Sequence, residues 1–153
     1  MMVNLLSMME TGVPVRYPEL RVCFCESGLS WVPFLRMRLD KEYNEYRYLW
    51  PHFHDRPSKR INKFYCATQP LEESENDRDL ADLIRIYDGE NTTVFASDWP
   101  HHDFDQPRAF FDLHLSAEMK RKVMGLNALM LMPRIRVPMR YQNSTGSIEF
   151  RII

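Results

Sequence analysis

The sequence predicts an α/β fold with a small parallel sheet, and three observations support this. Short apolar runs alternate along the chain with segments of helical periodicity. The runs are rich in Val, Phe, Tyr or Cys, as in strands that are buried on both faces. Polar residues follow each run, at the strand ends where parallel sheets bind their ligands. Strands separated by helices pair in parallel through right-handed crossovers.

The elements are expected in the order helix end, strand, helix, strand, helix, strand, helix. Asn4–Gly12 has the pattern of the last turns of a helix, with Gly12 just beyond its C-cap. The strand runs are Leu20–Glu26, Phe64–Thr68 and Thr93–Ser97. The helices are Trp31 to about Tyr48, Asp77 to Gly89 with Asp77 as N-cap, and Ala117 to about Gly125 with Ser116 as N-cap.

Two further segments have no clear period. Trp50–Lys63 is expected to be an irregular polar loop, because it contains two prolines and few apolar residues. From Pro133 to Ile153, arginines alternate with apolar residues without a helical or strand repeat. This tail is expected to be an irregular appendage, with one isolated strand at Ser147–Ile153 as its candidate element.

Composition excludes several classes of function. The 153 residues suit one domain. Twenty basic and 21 acidic residues give a net charge of -1, so no nucleic-acid partner is expected. No apolar run approaches the ~20 residues of a membrane span, and no secretory signal pattern is present. The three cysteines have no metal-ligand spacing and are expected to be buried thiols of a reducing compartment, which predicts a cytoplasmic protein.

Asp98 is the strongest candidate for chemistry, because it directly follows the third strand run. A carboxylate at a strand end can bind a divalent metal through a hard oxygen, or accept a proton from a metal-bound water. The alternative is a structural role, in which the Asp98 side chain caps a turn.

Glu26 and His101 are the supporting candidates. Glu26 follows the first strand run, where it could hydrogen-bond a substrate or support a ligand. Its alternative is an ion pair with Arg36 or Arg38. His101 is expected to orient Asp98 or a substrate oxygen by hydrogen bonding. A solvated surface histidine is the alternative, and it is the favoured interpretation of His102.

Other motifs are assigned no function. His52 and His54 form a His-x-His pair, but they lie in a polar loop between two prolines and are interpreted as solvated. Neither a glycine-rich phosphate loop nor a serine nucleophile elbow is present in the sequence.

A series of short motifs, in a fixed order, resembles one family over Val3 to Met132. The motifs are Tyr17-Pro18-Glu19-Leu20-Arg21-Val22, Glu26-Ser27-Gly28, Trp31-Val32-Pro33, Arg38-Leu39-Asp40, Pro57-Ser58, Thr68-Gln69-Pro70, Ala96-Ser97-Asp98-Trp99-Pro100-His101 with Asp103, and Gly125-Leu126-Asn127-Ala128. They resemble the C-terminal part of the amidohydrolase-related family, the metal-dependent hydrolases and decarboxylases similar to aminocarboxymuconate semialdehyde decarboxylase.

The resemblance implies a (β/α)₈ barrel, of which this chain holds the last three βα units. It also implies a small-molecule substrate and a divalent metal, with zinc as the expected ion. Asp98 matches the metal-associated aspartate at the end of the last strand. Glu26 stands where the decarboxylase branch carries a histidine and other branches a glutamate, so the resemblance leaves hydrolysis and decarboxylation both open.

The family's His-x-His on the first strand and its further metal-binding histidine on the fifth have no counterpart here. Residues 1–132 are therefore expected to be the C-terminal part of such a barrel and residues 133–153 an unrelated tail. We expect a fragment that is inactive alone because the histidine ligands are missing. The alternative is a non-catalytic pseudo-enzyme fragment that acts as an interaction module. The first strand is expected to leave an open sheet edge through which the chain self-associates.

Overall fold

Three short strands form a parallel sheet in the order in which they occur in the sequence. In the computed structural model, which describes residues 1–138 and residue 142, they are β1 (Val22–Phe24), β2 (Phe64–Ala67) and β3 (Thr93–Val94). Cys23 of β1 lies opposite Tyr65 of β2, and Cys66 lies opposite Thr93. The predicted α/β class and parallel sheet are confirmed. The strand expected at Ser147–Ile153 lies outside the described residues.

Helices connect and follow the strands. They are α1 (Met2–Glu10), α2 (Val13–Arg16), α3 (Trp31–Glu45), α4 (Ser58–Ile61), α5 (Asp77–Ile86), α6 (Pro107–Phe111), α7 (Ala117–Arg121) and α8 (Asn127–Leu131). Short 3₁₀ turns occupy Arg47–Leu49 and Gly89–Asn91, and a π turn at Lys122–Leu126 joins α7 to α8. None of the helices in the described part of the chain is both long and apolar enough to cross a membrane.

The helix starts follow the sequence more closely than the ends: α3 ends at Glu45 and not near Tyr48, and α5 ends at Ile86 and not at Gly89. Ser116 caps α7 as expected, since its Oγ accepts a hydrogen bond from the N–H of Met119 at 3.1 Å. The N-cap of α5 is Asn76 and not Asp77, because the Asn76 side chain accepts from the N–H of Arg78. The last helix does not end near Gly125: the π turn carries it on into α8.

The segment Trp50–Lys63 is not the solvated loop that its polarity predicts. It contains α4, and Trp50 and Phe53 are buried in the core. Their rings meet edge to face, with centroids 5.6 Å apart. A sparse apolar pattern of this kind has no period, so sequence periodicity does not detect it.

The core lies between the helices and one face of the sheet. Phe24, Phe64 and Cys66 point into it and are buried. On α3 the buried side chains are Val32, Pro33, Leu35, Leu39 and Tyr43. Phe34, on the opposite side of α3 from these residues, is 59% exposed.

The two edges of the sheet differ. At the outer edge of β3, the N–H of Phe95 donates to the carbonyl of Val123 at 2.9 Å, and the side chain of Asn127 donates to the carbonyl of Thr93 at 2.7 Å. The Val123 carbonyl is accessible because the N–H of Asn127 bonds to Lys122 in the wider π turn. The C-terminal helix therefore closes this edge. β1 is the other edge strand of the described sheet.

The prediction of three buried thiols is wrong in part. Cys66 is buried, Cys23 is half-buried and Cys25 is exposed. Cys25 follows the last residue of β1 and so lies outside the paired strand. An apolar run in the sequence does not show where strand pairing ends.

Candidate active site

The loops that follow the three strands meet at the carboxyl edge of the sheet. Glu26 and Asp98, which follow β1 and β3, both adopt left-handed backbone conformations, with φ of 54° and 58°. Such values are uncommon for residues with a Cβ, and they are enriched at functional turns. Both carboxylates therefore lie in loops that follow their strands, Glu26 two residues after the end of β1 and Asp98 four residues after the end of β3.

His101 contacts Asp98, which is one of the two partners that the sequence suggested for this histidine. Oδ2 of Asp98 lies 2.7 Å from Nδ1 of His101, and the carbonyl of Asp98 accepts from the N–H of His101 at 2.9 Å. The Asp98 side chain is 19% exposed, whereas that of His101 is 64% exposed. The turn thus presents a shielded carboxylate and an accessible imidazole.

The charges around His101 favour its protonated form. Its pKa is raised, first by the hydrogen bond to Asp98, then by the charge of that carboxylate and, to a smaller extent, by those of Glu26 and Asp103. An imidazolium held by a carboxylate can donate a proton to a substrate or bind an anionic group.

Glu26 is exposed, and its negative charge contributes to the raised pKa of His101. The ion pairs proposed as its structural alternative are absent from the described residues, because Arg36 pairs with Asp88 and Arg38 pairs with Glu42, each at 2.6 Å. The structure thus places Glu26, Asp98 and His101 at the same edge of the sheet.

Thr68 and Gln69, at the end of β2, are buried and tie the neighbouring loops together. Oγ1 of Thr68 accepts from the N–H of Ala96 at 3.1 Å. The carbonyl of Gln69 accepts from the N–H of Ser27 at 3.1 Å. The side-chain oxygen of Gln69 is buried, and no described residue hydrogen-bonds to it.

Two carboxylates that sequence reasoning missed hold this edge in place. Oε1 of Glu72 accepts from the N–H groups of Leu29 and Ser30, at 2.6 and 2.5 Å, where α3 begins. It thereby supplies the cap that the Ser30 side chain does not. Glu72 follows β2 in sequence, so this contact joins the first and second βα loops.

Asp105 makes the equivalent link between the second and third loops. Its Oδ2 accepts from the N–H of Leu71 at 2.8 Å, and its own N–H donates to the carbonyl of Ser97 at 2.9 Å. Burial raises the pKa of Asp105, and the Leu71 hydrogen bond opposes that rise. Both carboxylates sit in acidic stretches of ordinary appearance, and their partners are remote in sequence, so no local signal identifies them.

The other histidines lie apart from this cluster. His52, His54 and His102 are exposed. The imidazole of His102 lies 3.8 Å from the carboxylate of Asp103, beyond hydrogen-bonding distance. These positions give no support for a metal site at His52 and His54.

The described residues alone do not fit a catalytic metal. Within residues 1–138 and 142, no three His, Cys, Asp or Glu side chains converge in a way that could hold an ion. Asp98 offers one carboxylate, and one of its oxygens already contacts His101. Catalytic metal sites commonly use three protein ligands, so further ligands would have to come from other residues.

The comparisons with known proteins identify the family. The amidohydrolase family model matches residues 4–134, and the chain therefore belongs to the amidohydrolase family. No curated protein matches the chain significantly.

Solved structures give the same family. An amidohydrolase from Mycobacterium avium subsp. paratuberculosis K-10 matches 85% of the chain with a TM-score of 0.70 and 29% identity. The 5-carboxyvanillate decarboxylase from Sphingomonas paucimobilis matches 86% with a TM-score of 0.67 and 22% identity. A dihydroxybenzoic acid decarboxylase from Polaromonas sp. JS666, with bound manganese and the inhibitor 2-nitroresorcinol, matches 89% with a TM-score of 0.62 and 23% identity. The chain spans only 32%, 39% and 40% of these three chains, respectively.

Proposed function

We propose that this chain supplies the last three βα units of a (β/α)₈ barrel that acts as a metal-dependent hydrolase or decarboxylase on a small molecule. The observation that carries the proposal is the Asp98–His101 pair, held at 2.7 Å in the loop that follows β3, in a chain of this family. In such barrels the catalytic residues come from the carboxyl ends of the strands. The partial coverage of the related structures supports the same division of the barrel.

Asp98 is the proposed proton acceptor and metal-associated carboxylate of the intact site. His101 orients that carboxylate and, when protonated, attracts an anionic substrate group. Glu26 adds negative charge that contributes to the raised pKa of His101, after the larger effect of Asp98. A divalent metal would polarise the substrate or activate water; zinc is the expected ion, although one related decarboxylase binds manganese. The missing ligands must come from outside the described residues, so we propose that the chain alone is inactive.

Within this proposal, residues 1–132 form the barrel part and residues 133–153 a tail of separate origin. The family match extends through residue 134 and supports a boundary in this region. We place the protein in the cytoplasm, because an exposed free thiol such as Cys25 persists best in a reducing compartment.

Complementation tests the proposal. The first five βα units of the related mycobacterial amidohydrolase would be co-expressed with this chain, and carbon dioxide release from hydroxybenzoates and ester or amide hydrolysis would be measured. We expect metal-dependent turnover with the wild-type chain and a loss of more than about 100-fold with Asp98→Ala. A matched Asp112→Ala control, at an exposed carboxylate that pairs with Arg108, should retain activity. Equal turnover by the Asp98→Ala complex would refute the assigned role.

A second candidate function is a non-catalytic interaction module. It is favoured by the lack of a three-ligand metal group among the described residues and by the position of β1 at the edge of the sheet. A strand at a sheet edge pairs readily with another chain, so this candidate predicts self-association. Sedimentation velocity tests it: a single monomeric species at micromolar concentration would contradict self-association through β1.

A further inference from the structure

We propose that Cys23 and Cys25 form a redox-active dithiol that closes to a disulfide by exchange with low-molecular-weight disulfides. The two Sγ atoms lie 3.8 Å apart, with the thiol of Cys25 directed at the sulfur of Cys23. Nothing in the proposed catalytic chemistry uses either thiol. The site is therefore a modification site beside the catalytic edge, and it is independent of the proposed function.

The backbone can bring the two sulfurs together. Alternate residues of an extended chain have Cα atoms at most about 7 Å apart, and disulfides bridge Cα separations of about 4.4–6.8 Å. Only a small contraction is needed. β1 ends at Phe24, so the backbone at Cys25 is not held by strand pairing and can make this adjustment.

The two thiols differ in their exposure to solvent, and this difference determines which one attacks first in the exchange. Cys25 is exposed and can meet a small disulfide in solution, so it is the attacking thiol. Burial, followed by the proximity of Cys25, raises the pKa of the Cys23 thiol to about 12. Cys23 is half-buried and less accessible to a disulfide in solution, so it is the resolving thiol, and its raised pKa makes the second step the slower one. The influence of Cys25 on that pKa falls once Cys25 is capped, which favours the second step.

A low-molecular-weight disulfide, RSSR, is the oxidant, and it accounts for every electron and proton in the exchange. The thiolate of Cys25 attacks one sulfur of RSSR, a mixed disulfide forms, and the first RS⁻ leaves and takes up a proton. The thiolate of Cys23 then attacks Sγ of Cys25 and displaces the second RS⁻, which is protonated in turn. Two protein thiols are oxidised, and one RSSR is reduced to two RSH.

The third cysteine provides an internal control. Cys66 is buried on the opposite face of the sheet from Cys23, and burial raises its pKa to about 12. It should not react under conditions that leave the chain folded. The disulfide would fix the segment that leads into Glu26, the residue that follows Cys25.

Mass spectrometry of the folded chain treated with oxidised glutathione tests the proposal. We expect the wild type to lose two hydrogens and to carry no glutathione, and dithiothreitol to reverse the change. Cys23→Ser should keep one glutathione on Cys25, Cys25→Ser should react about tenfold more slowly, and Cys66→Ser should behave as the wild type. A wild-type chain that accumulates a stable glutathione adduct on Cys25, or a disulfide that includes Cys66, would overturn it. Circular dichroism would confirm that each variant is folded.

Discussion

Nδ1 of His101 lies 2.7 Å from Oδ2 of Asp98, in the loop that follows the last strand of the sheet. The carboxylate is largely shielded and the imidazole is largely exposed. This asymmetry is suited to a site in which the protein holds one partner in place and presents the other to a ligand. It also gives the pair a measurable signature, the pKa of His101.

Removing the Asp98 carboxylate should lower the pKa of His101. The hydrogen bond and charge of Asp98 are the largest causes of its upward shift. In Asp98→Asn we expect the pKa to fall towards the ordinary histidine value of about 6.5. Titration of the imidazole resonances by NMR measures this, with Asp112→Asn as a distant control. An unchanged His101 titration in Asp98→Asn would show that the two side chains do not interact in solution.

The same pair predicts the sign of a pH dependence. Because the folded-state pKa of His101 is raised, its protonation stabilises the folded state. This contribution to the free energy of unfolding is fully present at pH values below the unfolded-state pKa of about 6.5. That contribution is lost as the pH rises through the raised value. The free energy of unfolding of wild type, relative to His101→Gln, should therefore decrease across this window. Urea unfolding at a series of pH values measures it, and a difference that grows with pH would contradict the assignment.

Glu72→Ala should destabilise the fold by about 1–3 kcal/mol, because it leaves two N–H groups at the start of α3 without their acceptor. Glu73→Ala is the matched control, since Glu73 is exposed and adjacent in sequence. Its effect should stay within about 0.5 kcal/mol. Denaturant unfolding compares the two, and equal effects would show that Glu72 does not cap α3.

Asn127→Leu should lower the free energy of unfolding by about 1–3 kcal/mol, for a different reason. The buried side chain of Asn127 donates to the carbonyls of Glu90 and Thr93, at 2.8 and 2.7 Å. Leucine leaves both acceptors unpaired at the outer edge of β3. Amide hydrogen exchange should show faster exchange at Phe95, which bonds to the same helix. Protection of Phe95 equal to that in wild type would contradict the view that this helix closes the edge.

Most of the fold could be predicted from local patterns in the sequence. The positions of the three strands, their parallel pairing and the cap at Ser116 were predictable, because apolar runs and capping residues act within a few positions of each other. The strand lengths were not: each strand is shorter than its apolar run, and β3 ends at Val94 and not at Ser97. The burial of Trp50 and Phe53 was not predictable either, because it depends on packing in the core and leaves no repeat in their own segment. The exposure of Cys25 depends on where pairing ends, which composition does not encode.

The candidate site was predictable to the same extent. Asp98, Glu26 and His101 follow strand runs, and the structure places them at one edge of the sheet. Glu72 and Asp105 were missed, because each acts on a backbone group more than 30 positions away in sequence. Only the register of the sheet brings these partners together.

The central claim is that the catalytic metal site is shared between this chain and the rest of a barrel, and metal retention tests it most directly. The purified chain would be incubated with zinc or manganese, desalted and assayed by elemental analysis. We predict well below one metal per chain, for wild type and Asp98→Ala alike, because the described residues contain no group of three side chains that could hold an ion. One tightly held metal per wild-type chain, lost in Asp98→Ala, would contradict the account.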